Sequence, residues 1–337
     1  LPAITADAKT LVITRKVPRE KLKNEFTELK IVLQEDFYVS DKDTAGNWLP
    51  VRPFSNTINT LNNEGALSYS ADKEIIVYTA CNRADGLGRC DLYLYINNKS
   101  FNAGKTVNSK HWESQGCFSP DGKYLYFISN RPGGYGGKDI WRSEVSSDGF
   151  GIPENLGDKI NTAYDEMSPF IHTDNLTLYF ASNGHVGMGD YDLFVSRRAN
   201  KQQDWSLPEN MGYPINTHNI ENSLIVASDG KTAYYASDKN GLGKEDIFSF
   251  ELPKQLQAAE VTALELDIIT QETGEEVILE NVSFSSNSAE LEALSYIELD
   301  KLLTYLKKNP SLKLEIQGHT DAVGDEMANQ LLSEKRA

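Results

Sequence analysis

The sequence predicts a mainly β protein: a five-bladed β-propeller, with six blades as the alternative, followed by part of a smaller α+β domain. Two sets of aspartates recur along most of the 337 residues. Asp7, Asp72, Asp121, Asp174 and Asp229 sit in turns, and Asp36, Asp91, Asp139, Asp192 and Asp246 open a strand. From Asp72 onward the turn aspartates are 49, 53 and 55 residues apart, a step that suits a four-stranded blade and is long for a solenoid repeat. After Pro253 the pattern gives way to a strand-helix-strand succession of a different fold class.

One repeat is clearest from Phe118 to Trp141. Ser119-Pro120-Asp121-Gly122 is a tight turn, Tyr124 to Ile128 an apolar strand, Gly133 to Gly137 a second turn, and Ile140-Trp141 opens the next strand. The two aspartates of a copy lie 17 to 19 residues apart, except in the first, where a gap of 29 marks an insertion. Within that insertion, Val17 to Gln34, residues Leu22, Phe26, Leu29 and Val32 or Leu33 fall near one face of a short helix, either a partner-binding flap or a cover for a blade edge.

Later copies are each announced by a second signature: Ile58-Asn59-Thr60 before Glu64, Val107-Asn108-Ser109 before Glu113, Ile160-Asn161-Thr162 before Glu166, and Ile215-Asn216-Thr217 before Glu221. Chemistry needs one specialised copy, so polar groups repeated in every blade are expected to satisfy buried backbone groups at corners between strands. The first copy lacks the signature, as expected where a chain begins inside its blade and the whole protein has more sequence upstream. The Gly-rich turns Gly86-Leu87-Gly88, Gly133 to Gly137, Gly187-Met188-Gly189 and Gly241-Leu242-Gly243 lead from strand to strand and never into a helix. They read as turns rather than phosphate loops, and no cofactor is expected.

At 39% hydrophobic residues the chain has material for a core, and no apolar run is long enough to span a bilayer as a helix. The net charge of −16 works against nucleic acid as a partner. Of the three cysteines, Cys81 and Cys90 bracket the turn of the second copy, at the facing ends of two antiparallel strands. That places them as a candidate disulfide in an oxidising compartment, the other reading being two free thiols near a loop. Cys117 lies in an apolar strand as a small core residue. No spacing of Cys and His suggests zinc, so no metal is expected.

The propeller is expected over residues 1–253 and a polar linker with a short strand over 254–276, with the small domain over 277–337. Leu264, Leu266 and Ile268 alternate, Glu272-Thr273-Gly274 turns, and Val277 to Phe284 alternates again. Ser295 and Glu298 suggest a capping box for a helix carrying Leu299, Leu302, Leu303 and Leu306, stopped at Asn309-Pro310. Leu312, Leu314 and Ile316 then alternate toward Gly318-His319-Thr320-Asp321. Phe284 and Leu291 are expected in the core.

Gly318-His319-Thr320-Asp321, Gly324, Asn329, Leu332-Ser333 and Arg336-Ala337 resemble the motif of the OmpA-like peptidoglycan-binding domain. The resemblance covers 277–337 and implies the first half or so of that domain. It implies a peptidoglycan site of Asp321, Arg336, Asn329, Thr320, Gly324 and Leu331, in which Asp321 pairs with the ammonium of diaminopimelate and Arg336 with its carboxylate. Ser333 is expected to cap a helix with Arg336 in its first turn, too short to hold the guanidinium firmly. The repeats are similar to TolB-like Pro-Asp repeats, Ser119-Pro120-Asp121-Gly122-Lys123 being the cleanest copy. Ser70-Ala71-Asp72-Lys73 and His172-Thr173-Asp174-Asn175 keep less of the pattern.

The combination resembles outer-membrane-associated periplasmic proteins of bacteria with type IX secretion. It implies a non-catalytic scaffold that grips the cell wall with one domain and an outer-membrane or periplasmic protein with the other. The alternative is a wall-tethered glycoside hydrolase or glycan-binding propeller, which requires carboxylates about 5 to 10 Å apart at one mouth of the channel.

Overall fold

The computed structural model describes the chain apart from residues 6–7, 23–28, 71–72, 147–148, 238–245, 259–278, 280–281, 285–287, 292–294, 296–298, 300–301, 304–305, 307–312 and 321–325. For 19–32, 326 and 328 it describes no side chains. Outside the described residues lie Asp7, Phe26, Asp72, Glu298, Gly241 to Gly243, the turn at 272–274, the stop at 309–310, the strand expected at 264–268 and half of the one expected over 277–284. The chain divides into two compact units, Leu1–Glu260 and Val261–Ala337.

The first unit is a five-bladed propeller of antiparallel meanders. The first blade is β1 (Pro2–Ile4), β2 (Thr10–Leu22), β3 (Leu29–Asp41) and β4 (Arg52–Pro53); the second is β5 (Asn63–Tyr69), β6 (Ile75–Cys81), β7 (Cys90–Ile96) and β8 (Lys99–Asn102). The third is β9 (Glu113–Phe118), β10 (Tyr124–Ser129) and β11 (Asp139–Ser146), with β12 (Gly149–Phe150) and β13 (Glu154–Asn155) both on β11. The fourth is β14 (Glu166–Ile171), β15 (Thr177–Ser182), β16 (Asp192–Arg197) and β17 (Glu209–Asn210). The fifth, among the described residues, is β18 (Glu221–Val226), β19 (Thr232–Ser237) and β20 (Asp246–Glu251).

Blades are held together by four apolar clusters, each shared by two neighbours. Val77 and Leu92 of the second blade pack with Leu125, Phe127 and Trp141 of the third, and Tyr126, Ile128 and Ile140 of the third pack with Leu178, Phe180 and Phe194 of the fourth. Blades two to four are covered on both faces, so their strands read as near-continuous apolar runs. Tyr78, Tyr93, Tyr126 and Tyr179 are buried whole, each ring contributing on the order of 2 to 3 kcal/mol by removal from water. The first blade meets the last across an edge-on contact of Trp48 with Tyr234, ring centres 6.3 Å apart. All described strands of the first blade come from the start of the chain and all those of the last from its far end, so the ring closes by packing.

The helix expected within Val17 to Gln34 is corrected by the structure where the segment is described: 17–22 and 29–34 continue two paired strands, and Phe26 lies outside the described residues. β2 and β3 stay in register from Thr10 opposite Asp41 to Leu22 opposite Leu29. A ladder already running extends at little cost, each further residue adding cross-strand bonds without a new nucleus. The propeller unit also continues past Pro253. A 3₁₀ turn at Lys254–Leu256 buries Leu256 in the last inter-blade cluster, and its carbonyl accepts the Tyr179 hydroxyl at 2.8 Å.

The repeated polar residues are spent on backbone. Asn59, Asn108, Asn161 and Asn216 each accept from and donate to one residue of a strand, respectively Phe37, Leu92, Ile140 and Leu193, at 2.7 to 3.0 Å. Glu113, Glu166 and Glu221 accept both the amide and the hydroxyl of the Ser or Thr four residues earlier, and Glu64 does the same with Thr60. Asp91, Asp139 and Asp192 accept amides of the Gly-rich turns. Turn position Gly122 has φ +67°, and its counterparts Lys73, Asn175 and Gly230 share the left-handed conformation at +66°, +55° and +68°. A further set escaped the sequence reading: Asn102, Asn155 and Asn210 receive Asn108, Asn161 and Asn216 and the amides of Gly104, Gly157 and Gly212. The recurring Asn-x-Gly six residues before Asn108, Asn161 and Asn216 was the available signal.

Cys81 and Cys90 face each other across the β6 and β7 ladder and are joined by a disulfide, while Cys117 is free and buried. Closing a loop of about ten residues is expected to stabilise the fold by roughly 2 to 3 kcal/mol. Alkylation of the unreduced, denatured chain followed by mass spectrometry should label Cys117 alone; label on all three cysteines would refute the bridge.

Burial pushes the Glu64 carboxyl up to about 7, outweighing its bonds from Thr60, and pushes Glu166 up as well. A raised folded-state value favours the protonated form. The contribution is therefore complete below the usual carboxylate range and is lost as pH rises through about 7. Glu64→Gln should flatten the decline in unfolding free energy between pH 4.5 and 8, a difference of at most about 3 kcal/mol. Urea titrations across that range check it, and an unchanged slope would contradict the assignment.

Candidate functional site

Successive connections of a four-stranded meander alternate between its two ends, so the second connection of a blade and the link to the next blade emerge together. The contacts agree. Arg131 donates to the carbonyl of Val107, the His185 ring bonds the carbonyl of Ile160 at 2.8 Å, and Asn210 donates to Val186 at 3.2 Å. Isolated parallel bridges join Cys90 to Trp112, Lys138 to Asp165 and Tyr191 to Ile220. A Cβ on Gly136 would stand 2.3 Å from the carbonyl of Thr162, and one on Gly189 2.2 Å from that of Asn219. Glycine there is a close-approach requirement. The turns thus lock into one rim over blades two to four.

That rim rests on charge-assisted bonds. The Lys138 ammonium lies 2.6 Å from the Asp165 carboxylate. Arg131 lies 3.2 Å from the buried Glu113 carboxylate and stacks over Phe127 and Trp141; burial pulls its guanidinium down from the ordinary value. The central channel is formed by the innermost strand of every blade. In blades two to five that strand carries a bulge with Ala66, Gln115, Ser168 or Ser223 in the left-handed region. The cavity there is about 60 Å³, walled by such residues as Ala3, Ser68, Gln115, Cys117, Phe170 and Leu224.

In the second unit, residues 295, 299, 302, 303 and 306 are helical and Leu302 is buried, while Leu303 is exposed. The capping role expected of Ser295 is corrected. It lies in the helix with its hydroxyl between the amide and carbonyl of Ser283, at 2.8 Å each. Phe284 and Leu291 pair in an isolated bridge. Residues 313–316, the described part of the strand expected over 312–316, make no ladder among the described residues, and Leu314 and Ile316 are exposed. Alternation supplies the tendency, but a strand exists only beside a partner.

The last helix, α1 (Glu326–Arg336), overturns two further expectations. Ser333 lies inside it, its hydroxyl bonded to the Gln330 carbonyl at 3.2 Å, and caps nothing. Arg336 is in the last turn, not the first. Its Nε donates to the Ser288 carbonyl at 3.0 Å, its Nη1 to the His319 carbonyl at 3.1 Å, and the guanidinium lies over the Phe284 ring at 4.9 Å. Gly318 makes this possible, because a Cβ there would stand 2.4 Å from the Ser333 carbonyl. Among the expected site residues, Thr320 and Asn329 are half-buried and Leu331 points outward; Asp321 and Gly324 lie outside the described residues.

A repeat-built propeller with a small unit holding an arginine against the chain leading into Gly318-His319-Thr320 is the class that fold and site define. The OmpA family model matches residues 283–337. Outer membrane porin F of Pseudomonas aeruginosa is 37% identical over 57 residues, covering 17% of this chain and 16% of that protein. Outer membrane protein A of Buchnera aphidicola is 40% identical over 60 residues, covering 17% of each. The chain thus spans about a sixth of the length of the curated relatives it matches. Among solved structures, TolB from Acinetobacter baumannii has 17% identity and a TM-score of 0.44, covering 76% of this chain and 54% of that one. Arabinanase Arb43A from Bacillus subtilis has 11% identity and a TM-score of 0.46, covering 74% and 92%. The C-terminal segment is OmpA-like, and TolB is among the propeller's structural neighbours.

Gly318→Ala should destabilise the second unit by about 1 to 3 kcal/mol, because the new Cβ meets backbone rather than a movable side chain. Hydrogen exchange on α1 checks this, and unchanged protection there would show that the close approach is not tight.

Proposed function

We propose that this chain belongs to a non-catalytic cell-envelope anchor, binding peptidoglycan through the OmpA-like unit and a protein partner through the propeller. The observation that carries it is the family match over 283–337, together with Arg336 bonded to the carbonyl two residues before Asp321. A diaminopimelate side chain offers an ammonium and a carboxylate, which call for one anionic group and one planar cationic group in fixed relation. Arg336 is half-fixed by two backbone carbonyls and a ring, and among the described residues its Nη2 makes no hydrogen bond, leaving that edge for a carboxylate. Asp321 takes the ammonium; Thr320, Gly324, Asn329 and Leu331 frame the site.

The finer reading is a periplasmic scaffold at the outer membrane, similar to PorE, serving type IX secretion or gliding. No helix among the described residues is long and apolar enough to cross a membrane. What supports a non-catalytic propeller is the described lining of the two channel cavities, Gly, Ser, Thr, Gln, Cys, Tyr and apolar residues, whereas glycoside hydrolysis needs a pair of carboxylates.

Sedimentation with purified sacculi tests the wall contact. Asp321→Ala and Arg336→Ala should each weaken binding by on the order of 2 to 4 kcal/mol, since each leaves the opposite charge unmatched. If both variants pellet as well as the parent chain, the site is wrong.

A further inference from the structure

We propose that the rim of interlocked turns, residues 82–89, 103–112, 130–138, 156–165, 183–191 and 211–220, docks an acidic protein segment that carries aromatic or aliphatic side chains. This deepens the protein-binding reading of the propeller and rests on it.

The first ground is where the rim places apolar side chains. Leu87, Tyr135 and Met188 occupy one repeat position, each donating its amide to the aspartate four residues on, and they are 49%, 53% and 52% exposed. The amide does the structural work there, so the fold leaves the side chain free, and polar residues would serve the turn equally well. Tyr164 and Val186, at 62% and 94% exposed, belong to the same end. Tyr and Met are the kinds of residue that anchor protein interfaces.

The second ground is charge. These six segments hold seven Lys and Arg residues against four Asp, in a chain whose net charge is −16. Asp91, Asp139 and Asp192 lie buried beneath the rim and are bonded to its amides. Arg89, Lys105, Lys110 and Lys159 are exposed and make no ion pair among the described residues. At the opposite end the first turns of blades three to five carry Asp121, Asp174 and Asp229. At physiological salt, charges beyond about 8 Å are screened, so a short acidic segment senses the rim rather than the whole acidic molecule. A broad anionic bilayer or a nucleic acid would also meet the acidic remainder. Apolar tips set between glycines and basic residues match a segment in which acidic and apolar side chains alternate.

The test uses the intact 337-residue chain and a fluorescein-labelled peptide of alternating Glu and Tyr, with a Lys and Tyr peptide and phosphatidylglycerol vesicles as comparisons. Anisotropy should show the acidic peptide bound in preference to the basic one. Binding should weaken at least tenfold in Tyr135→Ser/Met188→Ser and in Lys105→Glu/Lys110→Glu, and stay unchanged in Leu207→Ser at the other end. Binding indifferent to the rim variants, lost in Leu207→Ser, or confined to vesicles would overturn the proposal. A photocrosslinking amino acid in place of Tyr135 or Leu207, irradiated in the intact envelope, separates this inference from the broader reading. Adducts from position 135 to an acidic segment support it. Adducts from 207 alone, or from 135 to a segment that is not acidic, remove it while the protein-binding reading stands; adducts from neither position remove both.

Discussion

At each described corner between blades, a carboxamide pairs with backbone as though it were a missing strand. Asn108 both accepts from and donates to Leu92, and the same pairing recurs at Asn59, Asn161 and Asn216. The net gain per bond is modest, about 0.5 to 1.5 kcal/mol, but a buried amide or carbonyl left unpaired costs more than that. The apolar clusters supply the bulk of the stabilisation without direction, and a greasy blade face could slide on its neighbour. Carboxamide, carboxylate and turn amides fix the register at which it stops. Asn102, Asn155 and Asn210 orient three of the four carboxamides in turn, so that at those corners the carboxamide is bonded through both its oxygen and its nitrogen.

This arrangement also decides where variation is tolerated. Asp91, Asp139 and Asp192 are spent holding the turns and cannot be exchanged without releasing buried amides. Side chains at the turn tips carry no such duty. A rigid ring that presents turn tips free to vary is a common base for recognition, because the scaffold has already met the ordering cost of the loops.

The OmpA-like unit works by different means. Its described contacts join distant positions through backbone: Ser295 to Ser283, and Arg336 to Ser288 and His319. Gly318 admits the end of α1 to within reach of the chain leading to Asp321. An arginine so placed has lost part of its rotamer freedom, and in the proposed wall-binding role this lowers the entropy cost of holding a carboxylate.

The propeller was legible because its signals are local and repeated: aspartates at fixed offsets, Ile-Asn-Thr before Glu, apolar strands between turns. Repetition marked those residues as structural, since each corner poses the same unmet hydrogen bonds and receives the same answer. What the sequence left open turns on competition between distant partners. Val17 to Gln34 has apolar spacing compatible with a helix, yet the ladder of Thr10 with Asp41 was already aligned and carried on as far as Leu22 opposite Leu29. Ser295 and Ser333 look like caps from their neighbours in sequence. Their hydroxyls went instead to Ser283 and to the preceding turn, because packing, not adjacency, set which backbone groups lay within reach. Arg336 was singled out by its motif alone, but only the fold placed it well along α1 rather than in the helix's first turn. There the Ser288 and His319 carbonyls and the Phe284 ring converge on it from parts of the chain that no local pattern connects.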